Sequence, residues 1–146
     1  MRENAKIGKS GDGREMHYSA GVIIVCDGKY LLLERKYPPP GFACPAGHID
    51  KGEESKETAL RELREETGIE LNDIEFICEE EINPDKISQC QNLPHYWYLF
   101  RASVDSEDVT IQQDEVKSFT WRTPKEMGDI QLEEVWTHWF KKLGII

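Results

Sequence analysis

The sequence predicts an α/β (α+β) fold in which a mixed β-sheet is flanked by helices. Runs rich in β-branched and aromatic residues occur in both halves of the chain, an acidic helical segment lies between them, and an amphipathic helical segment ends the chain. With 146 residues and 38% hydrophobic content, the chain is long enough to bury one core. We therefore predict one domain over residues 17–146, preceded by a flexible tail over residues 1–16.

The net charge of −10 limits the classes of partner. So acidic a chain is not expected to bind nucleic acid or an anionic membrane as its main partner. A small phosphorylated ligand stays compatible, because a bound metal ion reverses the local charge. No apolar run reaches the roughly 18 residues of a membrane span. The N-terminal residues also lack the apolar core of a signal peptide, so a cytoplasmic location is predicted.

The first part of the chain predicts a β-hairpin followed by a loop. Residues 17–26 and 29–35 are β-rich runs joined by Asp27-Gly28, which is the strongest short-range signal for a hairpin. Pro38-Pro39-Pro40-Gly41 then predicts a loop, because proline cannot continue a helix or a strand ladder. Residues 42–49 are predicted to be a short extended piece that enters a glycine turn.

The middle of the chain predicts one helix and three further strands. Ser55 is expected to be the N-cap of the helix, and Gly68 is expected to follow its last residue. The runs over residues 73–82, 95–104 and 116–121 are predicted to be strands, because they are rich in β-branched and aromatic residues.

The C-terminal segment predicts a short turn and then an amphipathic helix. Thr123-Pro124 has the pattern of a cap followed by proline in the first helical position. The two tryptophans of the helix could form a ligand platform, but core packing explains them better, because the whole stripe is apolar at helical spacing. The stripe consists of Leu132, Val135, Trp136, Trp139, Phe140 and Leu143.

The central helix concentrates carboxylates beside its apolar face. Glu62, Glu65 and Glu66 occupy neighbouring positions on a helical wheel, where like charges repel. One interpretation is a set of solvated glutamates that is balanced by Arg61. The other is a divalent cation bound by carboxylate oxygens, for which Mg²⁺ or Mn²⁺ is suited.

The loop before the helix favours the metal interpretation. Gly47 and Gly52 let the backbone turn tightly and approach a ligand closely. Glu53 lies just before the helix, where a carboxylate can join the cluster or accept hydrogen bonds from free amides. A glycine loop, a helix start and a carboxylate face together predict a site for a metal-bound phosphate.

These residues resemble a known signature. Gly47, five residues, Glu53, seven residues and then Arg61-Glu62-Leu63-Arg64-Glu65-Glu66-Thr67-Gly68-Ile69 are similar to the Nudix box of the Nudix hydrolase superfamily. Every fixed position of the box is filled. The resemblance implies an α/β/α sandwich around a mixed sheet. It also implies attack by water on the diphosphate linkage of a nucleoside diphosphate derivative, with Mg²⁺ as cofactor and Mn²⁺ as a substitute.

The resemblance also implies roles for individual residues. Glu65 and Glu66 would be the main metal ligands, Glu62 a ligand or the general base, and Glu53 an outer ligand. Gly47 would offer its backbone carbonyl. Arg61 would orient a helix carboxylate for the reaction. Glu115 would supply a further catalytic carboxylate from a late loop, although it could instead be a solvated acid at the end of that loop.

The substrate depends on residues outside the box. Arg35 ends the second strand, where relatives often keep a phosphate-binding arginine, although a plain surface charge is the alternative. Trp97 is a candidate to stack on a nucleobase. Alternation places it on the opposite strand face from Tyr96, Tyr98 and Phe100, and either face could be core. Pro84 resembles ADP-ribose-type members, whereas the short chain fits members that act on nucleoside triphosphates, including oxidised ones.

Two other functional classes are compatible with the sequence. The chain could be a non-catalytic nucleotide-binding module on the same scaffold, although such proteins usually lose box carboxylates. An isoprenoid-diphosphate isomerase is a third hypothesis, which the short chain disfavours. The predicted partner is a small nucleotide diphosphate substrate, with neither nucleic acid nor membrane, and a homodimer is an open prediction.

Overall fold

The computed structural model describes residues 4–84 and 93–146, and in these residues a mixed sheet lies between two helices. The strands are β1 (Ile7–Lys9), β2 (Glu15–Cys26), β3 (Lys29–Arg35), β4 (Phe42–Ala43), β5 (Ala46–His48), β6 (Glu75–Ile82), β7 (His95–Ser103) and β8 (Val116–Arg122). The helices are α1 (Ser55–Thr67) and α2 (Glu134–Lys142), and a short 3₁₀ turn, Glu126–Asp129, precedes α2.

Strand β2 is the centre of the sheet. It pairs in parallel with β7 from His17 to Val25 along one edge. Along its other edge it pairs antiparallel with β1, β5 and β3 in succession. The predicted hairpin is confirmed, because Asp27 and Gly28 both adopt the positive φ angles, 51° and 78°, of a tight two-residue turn.

The outer strands complete the sheet. β6 pairs antiparallel with β7, and both β4 and β8 pair antiparallel with β3. The register between β3 and β8 shifts between Glu34 and Arg35, which marks a β-bulge. A bulge bends its strand and redirects the next side chain, and the shift falls at Arg35.

Alternating strand residues divide the core into two layers. Ile23, Leu32 and Leu99 pack on the α2 side of the sheet. Their sequence neighbours point the other way and pack on the α1 side, which fixes the helices on opposite faces. The α2 layer includes Trp136, Trp139 and Phe140, and the α1 layer includes Val22, Ile24, Leu31, Leu33, Ala59, Leu63 and Phe100. This arrangement confirms the predicted sandwich.

Two local predictions are wrong. The flexible tail predicted for residues 1–16 does not hold for residues 7–9, which form β1 and pair with Glu15, Met16 and His17. A short strand without an apolar pattern gives no sequence signal until its partner is known.

The N-cap of α1 is Glu54 rather than Ser55. The backbone N–H of Glu54 donates to the Glu57 carboxylate at 3.0 Å, so a glutamate three positions on satisfies the helix start. Gly68 ends α1 with a φ of 74°, as predicted. Among the described residues, no helix has the length and apolarity to span a membrane.

Candidate active site

A cavity of about 440 Å³ lies where β5 meets α1. It brings together most of the residues that the sequence singled out, although they come from two strands, one helix and a late loop. The lining residues are Arg35, Ala46, Gly47, His48, Arg61, Glu62, Glu65, Glu66 and Glu115.

The carboxylates of α1 are not equivalent. The side chains of Glu62 and Glu66 are 9% and 3% exposed, whereas that of Glu65 is 52% exposed. Glu62 and Glu66 share the buried side of the helix with Ala59 and Leu63. The helix therefore presents two sequestered carboxylates and one that is open to solvent at the cavity.

Gly47 allows β5 and α1 to approach closely. A Cβ atom at this position would overlap the carboxyl group of Glu62, so any larger residue would displace that carboxylate. Pairing of Gly47 with Ala20 of β2 fixes this backbone in the sheet. The backbone of Gly47 and the Glu62 carboxylate consequently lie side by side in the cavity wall.

Arg61 donates hydrogen bonds to three carboxylates, and a fourth carboxylate, that of Asp50, lies 3.6 Å from its guanidinium. Its guanidinium donates to both oxygens of Glu53, at 2.8 and 3.1 Å, and to Glu62 at 2.9 Å. A longer bond of 3.2 Å reaches Glu65, in the i+4 relation that the sequence predicted. Arg61 thus supplies the compensating positive charge that the acidic helix requires.

Glu53 lies behind this arginine. It is absent from the cavity lining, and Thr58 donates a further hydrogen bond to it at 2.6 Å. The hydrogen bond from Arg61 is the main cause that lowers the pKa of Glu53 to about 2. Glu53 is therefore an ionised anchor for Arg61, and the outer-ligand role stays a prediction.

Arg35 lines the cavity but is already engaged. Its Nη1 donates to Glu133 at 3.2 Å, and its Nη2 donates to Glu66 at 3.3 Å. The same Nη2 reaches the carbonyl oxygens of Cys44 and Ala46 at 3.4 and 3.3 Å. The surface-charge interpretation of Arg35 is wrong, because this side chain is largely buried.

Glu66 is held on both carboxylate oxygens. The backbone N–H of Ala46 donates to one oxygen at 3.0 Å, and Arg35 donates to the other. Burial raises the pKa of Glu66 to about 7, against the effect of the Arg35 charge. Glu66 is therefore a buried, oriented carboxylate that is harder to ionise than a solvated glutamate.

Glu133 was not anticipated from the sequence. This residue precedes α2, and its side chain is only 6% exposed beside Arg35. Burial raises the pKa of the Glu133 carboxyl, and Arg35 opposes that rise. One sequence signal could have found it, since Glu133 is seven positions before Phe140 and so falls on the apolar stripe of a helical wheel.

Glu115 is brought to the cavity by contacts with the loop that follows β3. Its backbone oxygen accepts a hydrogen bond from Lys36 at 2.9 Å. Gln112 holds the other side of the same residue through a 2.8 Å bond to the Glu115 N–H. The late loop therefore lies beside Arg35, and Glu115 is an exposed carboxylate at the cavity.

Trp97 is not part of the cavity, which corrects its predicted place in the substrate site. Its ring packs edge-on against Trp136 and Trp139, with centroid distances of 5.8 and 6.4 Å. Alternation along β7 puts it on the α2 face, and the α2 stripe makes this face core. Pro84 follows the end of β6, and its next residues, 85–92, lie outside the described part of the chain.

A group of three histidines adjoins the cavity. His48 lines the cavity, and its ring lies 5.7 Å from His17 and 6.1 Å from His95, measured between centroids. Burial, together with the two neighbouring imidazoles, lowers the pKa of His95 to about 4. No sequence pattern indicates this group, because its members meet only when β2, β5 and β7 pair.

The donor atoms fit a hard divalent cation. Glu62, Glu65, Glu66 and the backbone of Gly47 offer only oxygen, which suits Mg²⁺ or Mn²⁺. Over residues 4–84 and 93–146, no three acidic, histidine or cysteine side chains are arranged so that they could together hold a metal ion. The carboxylates are instead turned towards Arg61 and Arg35, so a cation would have to compete with these arginines.

Comparison with known proteins places the chain in a family. A family model described as the NUDIX domain matches residues 15–142. The chain belongs to the Nudix hydrolase family. The family predicted from the box is thus confirmed.

Curated Nudix relatives match part of the chain. An RNA pyrophosphohydrolase of Cereibacter sphaeroides (strain KD131 / KCTC 12085) is 32% identical in a 96-residue alignment that covers 58% of this chain and 59% of that protein. The NAD-capped RNA hydrolase NudC of Pseudomonas putida (strain GB-1) is 28% identical in a 103-residue alignment that covers 68% of this chain and 34% of that protein. The matched part therefore spans 34% to 59% of the length of these relatives.

Solved Nudix structures share the fold. The NUDIX domain of Shewanella oneidensis NrtR, complexed with ADP ribose, has a TM-score of 0.74 at 20% identity, covering 88% of this chain and 86% of that one. The MutT protein from Methanosarcina mazei Go1 has a TM-score of 0.73 at 21% identity, covering 87% of this chain and 91% of that one.

Proposed function

We propose that this Nudix chain is a Mg²⁺-dependent pyrophosphohydrolase that cleaves the diphosphate linkage of a nucleoside diphosphate derivative. The observation that carries the proposal is the cavity in which the box carboxylates meet Gly47, Arg35 and Glu115. The names of the curated relatives support the reaction class. Mn²⁺ is the proposed substitute cofactor, and the proposed location is cytoplasmic.

The proposed roles follow the placement of the side chains. Glu62, Glu65 and Glu66, with the Gly47 carbonyl, would hold Mg²⁺, which supplies charge neutralisation at the diphosphate and a more acidic bound water. Arg61 orients Glu62 and Glu65 through its hydrogen bonds.

Glu115 is an exposed carboxylate of the cavity lining whose backbone oxygen accepts a hydrogen bond from the Lys36 N–H, and we propose that its side chain accepts a proton at the cavity. Charged groups placed before reaction reduce the reorganisation that the transition state requires. The cavity thus offers carboxylates that can hold a cation, and Arg35 is a further contact for a phosphate group.

The test is a substrate panel with wild-type protein and Glu65→Gln. The panel contains nucleoside triphosphates, oxidised nucleotides and ADP-ribose, each with Mg²⁺, and product monophosphate or phosphate is measured. We expect turnover by wild type and a loss of at least about 100-fold in kcat for the variant, because a charge-stabilising ligand is removed.

The matched control is Glu70→Gln. Glu70 is an exposed glutamate just after α1, so its loss changes net charge equally without touching the cavity. Unchanged turnover in Glu65→Gln would refute the metal role of this residue. Nucleotide binding without turnover across the whole panel would instead support the non-catalytic module.

Cleavage at the 5′ end of an RNA is a second candidate. The curated relatives named above are an RNA pyrophosphohydrolase and an NAD-capped RNA hydrolase, which favours it. The net charge of −10 opposes it, because RNA phosphates would be repelled. Addition of a short 5′-triphosphorylated RNA and an NAD-capped RNA to the panel decides between a small nucleotide and RNA as substrate.

The proposed homodimer is tested separately, by size-exclusion chromatography of the same sample.

A further inference from the structure

Glu133 lies outside the Nudix box, yet it shares an arginine with a box carboxylate. We propose that Glu133 is a positioning residue, which holds Arg35 and thereby fixes Glu66 for binding a divalent cation. The inference rests on the proposed function, because it assigns a metal-binding role to Glu66. It couples the start of the second helix to a site that the first helix forms.

The carboxylate of Glu133 does not serve its own helix. Glu133 is the N-cap of α2, a position where a side-chain oxygen usually accepts hydrogen bonds from the first-turn amides. Its side chain makes no such bond. It accepts instead from Nη1 of Arg35 at 3.2 Å, so the carboxylate is directed towards the cavity.

Burial makes this placement costly unless it is compensated. A carboxylate with a side chain 6% exposed loses most of its hydration, and only a paired cation offsets that loss. The backbone around it is fixed, because its N–H donates to Phe42 at 2.9 Å and its carbonyl accepts from Trp136 and Thr137 at 2.9 and 3.0 Å. Glu133 is therefore a rigid support for the guanidinium.

The guanidinium is divided between two groups of acceptors. Nη1 faces Glu133, while Nη2 faces Glu66 and the carbonyls of Cys44 and Ala46. Without Glu133, Nη1 has no carboxylate partner and the plane of the guanidinium is free to turn. Glu66 would then keep only its bond from the Ala46 N–H as a fixed constraint.

The charge of Glu133 has a second effect. Arg35 alone would repel a cation that approaches Glu66, because the Arg35 guanidinium lies 3.3 Å from the Glu66 carboxylate. Glu133 offsets this positive charge from the opposite side of the guanidinium. Loss of the carboxylate should therefore weaken cation binding in addition to loosening Glu66.

The first experiment is a double-mutant cycle on the metal-free protein. Arg35→Gln leaves two buried carboxylates without a cation, so we expect its Tm to fall by more than about 3 °C. Glu133→Gln in the same chain removes one of these charges. The double variant should therefore melt no lower than Arg35→Gln alone, and additive losses of Tm would overturn the pairing.

The second experiment measures Mn²⁺ binding by electron paramagnetic resonance, with Mg²⁺-dependent kinetics alongside. We expect Glu133→Gln to raise the Kd for Mn²⁺ about 10-fold or more, as with other partners that orient metal ligands. At saturating Mg²⁺, kcat should fall while KM stays within about threefold. The matched control is Asp129→Asn, which removes an exposed charge just before α2 and should leave the Kd unchanged.

Each alternative outcome overturns the inference. A lowered Tm with an unchanged Mn²⁺ Kd would make Glu133 merely structural. A raised KM with an unchanged Kd would make Arg35 a phosphate contact whose placement, not that of Glu66, depends on Glu133. Absence of Mn²⁺ binding by wild type would remove the metal role altogether.

Failure of the proposed function has a different signature. If wild type hydrolyses nothing in the panel and Glu133→Gln still weakens Mn²⁺ binding, the function fails and the positioning role stands. If wild type hydrolyses a substrate and Glu133→Gln behaves as wild type in both assays, the positioning role fails and the function stands.

Discussion

The two helices cover opposite faces of one sheet and begin alike, but their buried sides differ in chemistry. Each begins after a glutamate, Glu54 for α1 and Glu133 for α2. The buried side of α2 is entirely apolar and mostly aromatic, whereas that of α1 includes the carboxylates Glu62 and Glu66.

The difference separates stability from chemistry. Burial of apolar side chains stabilises the fold by roughly 25 cal/mol per Å² of apolar surface removed from water, so packing of α2 on the sheet contributes to stability. Burial of carboxylates gives no such gain, and α1 depends on Arg61 and Arg35 for compensation. A change on α2 should therefore affect unfolding, while a change on α1 should affect the response to cations.

The largest effect on stability is expected for Trp139→Ala. Trp139 is fully buried, and we expect a loss of about 3–5 kcal/mol in the free energy of unfolding. Urea denaturation measures it, with the exposed Lys141→Ala on the same helix as control. Among the described residues, the indole Nε1 of Trp139 finds no hydrogen-bond partner, so Trp139→Phe should cost less. A loss below about 1 kcal/mol for the alanine variant would contradict the comparison.

A smaller loss of stability is expected for Arg61→Gln, and we expect added cations to reverse part of it. Removal of this guanidinium leaves Glu53, Glu62 and Glu65 without their shared donor, so metal-free protein should lose about 1–3 kcal/mol. Saturating MgCl₂ should raise the Tm of the variant more than that of wild type, because the uncompensated carboxylates attract the cation. Arg64→Gln, an exposed arginine of the same helix, should show neither effect. Equal Mg²⁺ responses in wild type and Arg61→Gln would show that Arg61 and the cation do not share ligands.

The smallest effect should be the same for both helices. Gly68 and Gly144 follow α1 and α2 at φ angles of 74° and 73°, and alanine there should cost about 1 kcal/mol each. Thermal unfolding measures the loss, with Gly128→Ala as control, since its Cβ would meet open space. Costs that differ by more than about 1 kcal/mol would show that the two helix ends are not equivalent.

Sequence reasoning succeeded where the information is local. The Asp27-Gly28 turn, the end of α1 at Gly68 and the apolar stripe of α2 each depend on residues within a few positions of one another. The box carboxylates were found in the same way, because fixed spacing on one helix places them side by side.

The missing parts depend on contacts between distant segments. Arg35 is redirected by a bulge against β8, and Glu133 is buried only because α2 starts against β4. Whether Trp97 belongs to the core is likewise decided by α2, which packs on one face of β7. Alternation separates the two faces of a strand but does not say which face meets a helix.

The parallel pairing of β2 with β7 has a consequence for the growing chain. A nascent chain that has emerged only as far as Ile69 contains the whole signature, which begins at Gly47, yet lacks β7. β5 pairs with β2, and the longest pairing of β2 is with β7. The sheet that positions the glycine turn is therefore incomplete until the second half of the protein has been synthesised. Closing so long a loop is entropically slow, and we expect the carboxylates to be assembled late. Completeness of the motif and existence of the site are thus separated in time.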